Sequence, residues 1–407
     1  MLQPPVIVQT DQLDQGTDLR QTLSCLIPTF LNAINYISPP EVDKKALRIA
    51  ILDRALRSGV HLETDDASQM RFEAGLAVAA EMYPLHPLEI QIHVGLFTWY
   101  GFIIDDMNAE LGPDLEQFQT RLLLGEQQPS ALLQAFADVL KSTKKYYDPI
   151  VANLIVLSAL AFVNSNAIEI RPQYHTIVLS KETVSWPYYF RDKEGLPEVY
   201  TYFCFYKETC PDIACFLPAA PEMGKFINLT NDILSFYKEE KAGEVRNYIH
   251  KQALSLNQSP LSILESAILE TVVAFKRSRA ILKNSHPYEG IWHAYAMGYV
   301  PGAVVPSHVG LAAGVRLLQD PDRHPRAPAA VAVHVETGTE SGRACVGMRL
   351  GFHNCYCPRD DVRTAFCDRY LIVDVVFRDK TSKQKGPIRN LEMGSRPSAL
   401  YLPPDNY

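Results

Sequence analysis

Two adjacent carboxylates follow a run of apolar and aromatic residues. Asp105 and Asp106 come directly after Phe102-Ile103-Ile104, and Glu110 follows shortly after them. Carboxylates at the end of a buried helix are unfavourable unless a cation neutralises them. On one continuous helix Asp106 and Glu110 share a face, and oxygen ligands on one face suit Mg²⁺, which completes its shell with water and phosphate oxygens. The segment is therefore a candidate Mg²⁺ site; the alternative is a helix end whose acids face solvent.

A second segment carries three oxygen-bearing side chains at regular spacing. Asn231, Ser235 and Glu239 are at positions i, i+4 and i+8, so on a helix they line one stripe. An amide oxygen, a hydroxyl and a carboxylate in a row suit a hard cation. The alternative, a polar stripe facing water, is disfavoured because Leu234 and Phe236 leave little room for a broad solvated face.

The elements that must position these residues are helices. Across residues 1–300, apolar residues recur at intervals of three and four, which is the period of a helix face, and strand-like alternation is scarce. We therefore predict one all-α bundle over residues 1–300, with several inner helices that are apolar over much of their surface. The clearest windows are 46–52, 72–82, 122–140, 150–168 and 261–282.

The composition changes abruptly after residue 300. Residues 301–351 contain no Lys, Ile, Asn, Phe, Tyr or Trp, so no aromatic side chain is available to pack a core there. We expect an irregular, anomalous C-terminal tail after the bundle.

Charge and composition argue against several classes of protein. The 407 residues include 39 basic and 46 acidic side chains, a net charge of −7, which disfavours nucleic-acid binding. The longest apolar stretch, 154–163, is shorter than the roughly 20 residues that a spanning helix needs. The first 25 residues show no secretory signal, and eight cysteines are too sparse for a disulfide scaffold. We expect a cytoplasmic protein without a membrane span. The sequence leaves open whether it forms a homodimer.

Together the two motifs resemble those of the class I terpene cyclases. An aspartate-rich helix end is followed, 125 residues later, by the Asn231-Asp232…Ser235…Glu239 helix in an all-α chain. Within that group, the segment NDILSFYKEE and the overall layout look most like the fungal trichodiene synthase family, over roughly residues 20–300. The resemblance implies a single class I terpenoid synthase helical bundle that binds a prenyl diphosphate with three Mg²⁺ ions.

The first motif departs from the D-D-x-x-D pattern that is usual in the family. Glu110 is five residues after Asp105 rather than four. Two ligand sets stay open: either Asp105 binds metal alone, as the family's first aspartate commonly does, or Asp106 and Glu110 form the pair.

The resemblance implies further site residues. Arg191, 40 residues before the second motif, matches the arginine that senses diphosphate, and a guanidinium binds phosphate oxygens bidentately. Glu194 and Gly195 match the linker and effector positions that follow it at a break in the helix, and Lys238 is a second diphosphate contact. The alternative for Arg191 is a surface arginine beside Asp192.

The family closes its site with an Arg-Tyr pair on a late helix. The only matching dipeptide in this sequence is Arg369-Tyr370, displaced by roughly 60 residues from the expected place. Either residues 301–365 are an insertion or a gene-model artefact and residues 366–407 hold a displaced remnant of the C-terminal helix region, or the whole tail is unrelated sequence and the match is chance.

The implied substrate is farnesyl diphosphate. Departure of its diphosphate generates an allylic cation, which aromatic side chains shield from water and stabilise by about 0.5 to 2 kcal/mol per ring. The candidate lining residues are Phe97, Trp99, Phe102, Phe226, Trp292 and Tyr295, and for each of them the alternative is plain core packing.

The expected product is a cyclic sesquiterpene, and closure to a bisabolyl cation is the expected opening of the cascade. Two alternatives are weighed against this cyclase. One is a chain-elongating prenyltransferase, which would normally carry a second aspartate-rich motif in place of the Asn231 segment. The other is a terpene synthase relic that the aberrant tail has impaired.

Overall fold

Helices build the body of the protein. The computed structural model describes residues 19–302 and, further along, the backbone of residues 331–340 and 343–352. No strand forms between residues 19 and 302, so the predicted all-α fold is confirmed. In chain order the α-helices of this part are α1 (Leu19–Ala33), α2 (Lys45–Arg57), α3 (Asp66–Ala77), α4 (Leu88–Asp106), α5 (Asn108–Leu124), α6 (Ala131–Ser142), α7 (Pro149–Glu169), α8 (Trp186–Glu194), α9 (Pro197–Phe203), α10 (Ala220–Ala242), α11 (Tyr248–Leu256), α12 (Pro260–Leu282) and α13 (Tyr288–Gly302).

Caps and glycines set the ends of the helices near both motifs. Asp65 and Asn247 begin α3 and α11 by accepting hydrogen bonds from backbone N–H groups three residues further on, at 2.8 and 3.0 Å. Such a cap stabilises a helix by about 1 kcal/mol. Gly243 ends α10 in the left-handed region, with φ 71°, where a residue without a Cβ is favoured.

The helix that carries the first aspartates breaks immediately after them. α4 ends at Asp106, Met107 has φ −109° and ψ 20°, and α5 begins at Asn108. The assumption that Asp106 and Glu110 share a face of one continuous helix is therefore wrong. A second break follows at Gly112, whose φ of 37° and ψ of −117° kink α5.

The two motif helices run through the interior of the bundle. α4 packs against α3 and α6, and α10 packs against α9 and α12. Their inward faces carry aromatic side chains that are at most 1% exposed, such as Phe97, Trp99 and Phe226. Burying one such side chain contributes roughly 1.5–3 kcal/mol, so packing of the rings fixes where the polar ends of both helices lie.

One helix of the described body, α7, is long and apolar enough to cross a membrane by length and composition alone. It is 21 residues long, so the apolar segment is longer than the stretch 154–163 suggests. In its most apolar window 61% of the residues are buried inside the bundle, which is the behaviour of a core helix.

Two strands form in the tail. β1 (Val331–Glu340) pairs antiparallel with β2 (Arg343–Phe352), so that Val331 lies opposite Phe352 and Glu340 opposite Arg343. The expectation of an irregular segment is wrong for these twenty residues.

Candidate active site

Arg191 lies at the centre of the candidate site. It comes from α8, and its Nε donates to Asp232 Oδ1 at 2.8 Å while its Nη2 donates to Asn231 Oδ1 at 3.0 Å. Burial disfavours the charged guanidinium, but the negative charges of Asp232 and Glu194 outweigh this effect and raise the pKa of Arg191. The arginine is therefore a permanent, positioned cation.

Arg191 is not the surface residue of the alternative interpretation. It is only 9% exposed, and the neighbouring Asp192 pairs instead with Lys193, at 3.0 Å. Both of its side-chain partners come from α10, so the ion pair ties α8 to the helix of the second motif.

Asn231, Ser235 and Glu239 all lie on α10, which is one uninterrupted helix. Ser235 is buried, and the other two are partly open to solvent. Glu239 Oε2 accepts a hydrogen bond from the Asn247 side chain at 2.6 Å. Burial raises the pKa of Glu239. The nearby donors and cations therefore do not fully compensate this carboxylate for its loss of water.

The two aspartates at the end of α4 have different surroundings. Asp106 is 54% exposed at its side chain and pairs with Arg71 Nη1 at 3.0 Å. Asp105 keeps part of its surface open to solvent at the end of α4, although many protein atoms surround its carboxyl group. Burial and the negative charges of Asp106 and Glu194 raise the pKa of Asp105 to about 6. Glu110 is exposed on α5, beyond the break at Met107, so it does not share a continuous helix with Asp105 and Asp106.

Arg191 is the common neighbour of the two motifs. Its charge acts on Asp105 at the end of α4 and on Glu239 near the end of α10, and in both cases it opposes the rise in pKa that burial causes. Glu194 acts on Asp105 and also on Asp232. Effects of this kind operate over a few ångströms. Carboxylates from α4 and α10 therefore share one charged region around Arg191, which we call the recess.

A further carboxylate of this recess, Glu169, was missed by sequence reasoning. It is the last residue of α7 and is partly buried. Burial and the charges of Glu194 and Asp105 raise its pKa to about 7, against the lowering effect of Lys251. No spacing rule relates Glu169 to either motif, because the bundle rather than the sequence brings the end of α7 next to α8.

Gly195 ends α8 where the guanidinium needs room. A Cβ at this position would overlap Arg191 Nη1 and Asn228 Oδ1, and it would lie 3.0 Å from the carbonyl oxygen of Arg191. The backbone of Gly195 has φ −86°, which any residue can adopt. The glycine is therefore required for the space beside Arg191.

The predicted aromatic residues separate into two groups. Five of them are almost fully buried and pack against other core rings, as Phe226 does against Phe275 (5.3 Å between ring centroids) and Trp292 (5.7 Å). Phe102, one turn before Asp105, is only partly buried. The five buried residues are Phe97, Trp99, Phe226, Trp292 and Tyr295.

Two other rings lie closer to the charged residues. Tyr200 on α9 and Tyr299 on α13 are each partly open to solvent. Burial raises the pKa of Tyr200 to about 12, and the charge of Asp105 adds to this shift. Burial also raises the pKa of Tyr299, and the Arg191 guanidinium opposes that rise. Both rings therefore border the recess, although neither stood out in the sequence among twenty tyrosines.

Of the other predicted diphosphate contacts, Lys238 lies within the described residues and Arg369 does not. Lys238 lies on α10 beside Glu239 and is partly buried. Arg369 and Tyr370 lie outside the described residues, as does the whole segment 366–407.

The chemistry of the recess fits a divalent cation. Three carboxylates with raised pKa values, those of Asp105, Glu169 and Glu239, border it. Within residues 19–302, however, no three His, Cys, Asp or Glu side chains cluster closely enough to hold an ion by themselves. The predicted ligand set adds the amide oxygen of Asn231 and the hydroxyl of Ser235 to these carboxylates.

An all-α bundle is the fold of the class I terpene synthases. The structure is similar to that of linalool/nerolidol synthase from Streptomyces clavuligerus, with a TM-score of 0.52 over 65% of this chain and 98% of the other. At 13% sequence identity this likeness shows the fold alone.

The chain belongs to the trichodiene synthase family, whose sequence model, trichodiene synthase (TRI5), matches residues 68–307. It is 38% identical to terpene synthase BipA of Cochliobolus sativus over 281 residues, which are 68% of this chain and 86% of the relative. It is 34% identical to longiborneol synthase CLM1 of Gibberella zeae over 265 residues, 63% of this chain and 77% of the relative. The protein is therefore a terpene synthase, a lyase.

Proposed function

We propose that this protein is a Mg²⁺-dependent sesquiterpene synthase that ionises farnesyl diphosphate, cyclises the resulting cation and releases diphosphate. The observation that supports this most is the position of Arg191. It is a buried cation that hydrogen-bonds to Asn231 of the second motif and acts electrostatically on Asp105 of the first. A diphosphate in this recess would meet both motifs and the guanidinium together.

The head group of the substrate is an anion that has to leave as a unit. Mg²⁺ bound by Asp105 and by the Asn231, Ser235 and Glu239 stripe would supply the charge neutralisation that makes diphosphate a good leaving group. Arg191 donates hydrogen bonds to the departing oxygens in a site where few water molecules compete.

The allylic cation left behind needs an apolar enclosure. Tyr200 and Tyr299 lie near Asp105 and Arg191, and Phe102 lies one turn before Asp105. A ring face that lines the site would attract a passing cation by about 0.5 to 2 kcal/mol. The buried rings behind them keep water out of the bundle. For a member of this family we propose isomerisation followed by closure to a bisabolyl cation; the contour of the recess decides the final hydrocarbon.

Incubation of the purified full chain with farnesyl diphosphate and Mg²⁺, followed by gas chromatography of the headspace, tests the proposal. A cyclic C15 hydrocarbon is the expected result, and it should disappear when a chelator removes Mg²⁺. A longer prenyl diphosphate would instead identify a chain-elongating enzyme, and the absence of turnover would identify an impaired relic. The Asp65→Ala variant, which only weakens the cap of α3, is the matched control for variants in the motifs.

The tail requires an experiment of its own. A variant without residues 301–365 and the variant Arg369→Ala, each compared with the full chain, show whether the displaced Arg-Tyr pair contributes to turnover. If the pair closes the site, Arg369→Ala lowers turnover by at least tenfold; if the match is chance, turnover is unchanged. The cytoplasmic location and the homodimer remain predictions.

A further inference from the structure

We propose that Asp232 is a positioning residue that holds Arg191 for the diphosphate, although its neighbours on α10 bind the metal. This inference rests on the proposed function, because it assumes that the recess binds a diphosphate. It concerns a residue that the spacing of the motif leaves without a role, since Asp232 falls between the predicted ligands.

Both side chains of the ion pair are buried. The side chains of Arg191 and Asp232 are 10% and 7% exposed, and Nε lies 2.8 Å from Oδ1. A charged hydrogen bond out of water is strong, and a carboxylate in such a place needs a cationic partner. Burial raises the pKa of Asp232, and the Arg191 guanidinium is the group that opposes this shift most.

The remaining contacts fix the plane of the guanidinium. Nη2 donates to Asn231 Oδ1 at 3.0 Å and lies 3.4 Å from the carbonyl oxygen of Asn228. Nη1 lies beside Gly195 and makes no hydrogen bond to any residue between 19 and 302. Asp232 therefore holds the Nε edge, and the opposite nitrogen stays available to a diphosphate oxygen.

The two neighbours on α10 contact the guanidinium at different nitrogens: Asp232 accepts from Nε, and Asn231 accepts from Nη2. Asn231 and Asp232 are adjacent on α10, so their side chains point about 100° apart. Asn231 continues the stripe toward Ser235 and Glu239, while Asp232 turns toward α8 and is buried there. Asp232 Oδ2 has no hydrogen-bond partner within the described part of the chain, so the carboxylate holds Arg191 through one oxygen.

A double-mutant cycle on the full chain tests this role. The variants are Asp232→Asn, Arg191→Met and the two together, and the readout is the affinity for inorganic pyrophosphate at saturating Mg²⁺, measured by titration calorimetry. Asp232→Asn should weaken binding by about 10- to 100-fold, the range expected when a charged hydrogen bond is misplaced. In the Arg191→Met background the same change should have no further effect.

The matched control is Asp192→Asn, the same substitution beside Arg191 in the chain. Its carboxylate pairs with Lys193 and not with the guanidinium, so the affinity for pyrophosphate should not change. The concentration of Mg²⁺ that gives half-maximal turnover should be the same for Asp232→Asn as for the unmodified chain, whereas Asn231→Ala should raise it.

Three results would overturn the inference. If Asp232 only supports folding, the calorimetric stoichiometry falls while the affinity of the folded fraction is kept. If it is itself a metal ligand, the Mg²⁺ requirement rises and the two substitutions add. If the unmodified chain binds no pyrophosphate, Arg191 is not held for a diphosphate at all. Lack of turnover with normal pyrophosphate binding, in contrast, contradicts only the proposed function.

Discussion

Adding one methyl group at the end of α8 is a sharp test of the site. In Gly195→Ala the new Cβ overlaps Arg191 Nη1 and Asn228 Oδ1 and lies 3.0 Å from a backbone carbonyl oxygen. Because the φ of −86° suits alanine, the strain falls on the neighbours. The end of the arginine side chain is what can move, and it does so by giving up its bonds to Asp232 and Asn231. Overpacking of this kind costs about 1–3 kcal/mol.

The expected consequence is a loss of activity in addition to the loss of stability. We expect kcat/KM with farnesyl diphosphate to fall by about 10- to 100-fold, which corresponds to roughly 1.4–2.7 kcal/mol in the transition state. Steady-state kinetics and thermal unfolding of the same preparations measure the two effects. Gly290→Ala is the matched control, because its Cβ would meet nothing within 4 Å, and alanine there should leave activity unchanged and favour the helix by up to about 1 kcal/mol. Equal kinetics for both variants would refute the assignment of Gly195.

The remaining predictions concern the metal, the pH dependence and the lining. Asn231→Ala should abolish turnover at millimolar Mg²⁺ in the product assay, whereas Asp65→Ala should keep turnover and lose only about 1 kcal/mol of stability in urea unfolding. Burial raises the pKa of Glu169 to about 7 from an unfolded value near 4.5, so its charge destabilises the metal-free fold above pH 7 and has no effect below about pH 4.5. Glu169→Gln should therefore raise the free energy of unfolding at pH 8 by about 1–2 kcal/mol and lose that advantage at pH 4.5; an equal gain at both values would contradict the burial argument. Tyr299→Leu should change the ratio of hydrocarbon products, and Phe226→Leu, which removes a ring from the core, should lower the melting temperature while the ratio is kept.

Sequence patterns predicted the features that depend on local periodicity, namely the helices and the faces on which their residues lie. The stripe of Asn231, Ser235 and Glu239 follows from 3.6 residues per turn once the segment is a helix, and α10 is one. The break at Met107 was missed because no glycine or proline marks it, while the Gly112-Pro113 pair five residues on was visible. The interval between Asp106 and Glu110 was therefore interpreted on a helix that does not continue.

What sequence reasoning missed depends on tertiary packing. Glu169 belongs to the recess because the bundle brings the end of α7 to α8, and one carboxylate among 46 acidic residues gives no local signal. Aromatic residues at helical spacing are equally compatible with core and lining, so Trp292 and Tyr299, seven residues apart on α13, could not be distinguished. The ion pair of Arg191 with Asp232 was hidden for the same reason, since 41 residues separate its partners.

Between residues 226 and 236, α10 has no face that is free to vary, because every residue there except Asn231 is buried. Ile233, Leu234 and Phe236 are fully enclosed by the bundle, and between them lie Asp232, which binds Arg191, and the proposed metal ligand Ser235. A substitution along this stretch is therefore expected to disturb either the proposed site or the interior. Divergence in product among such enzymes should accumulate instead on α9 and α13, whose rings at Tyr200 and Tyr299 can be exchanged without touching a ligand.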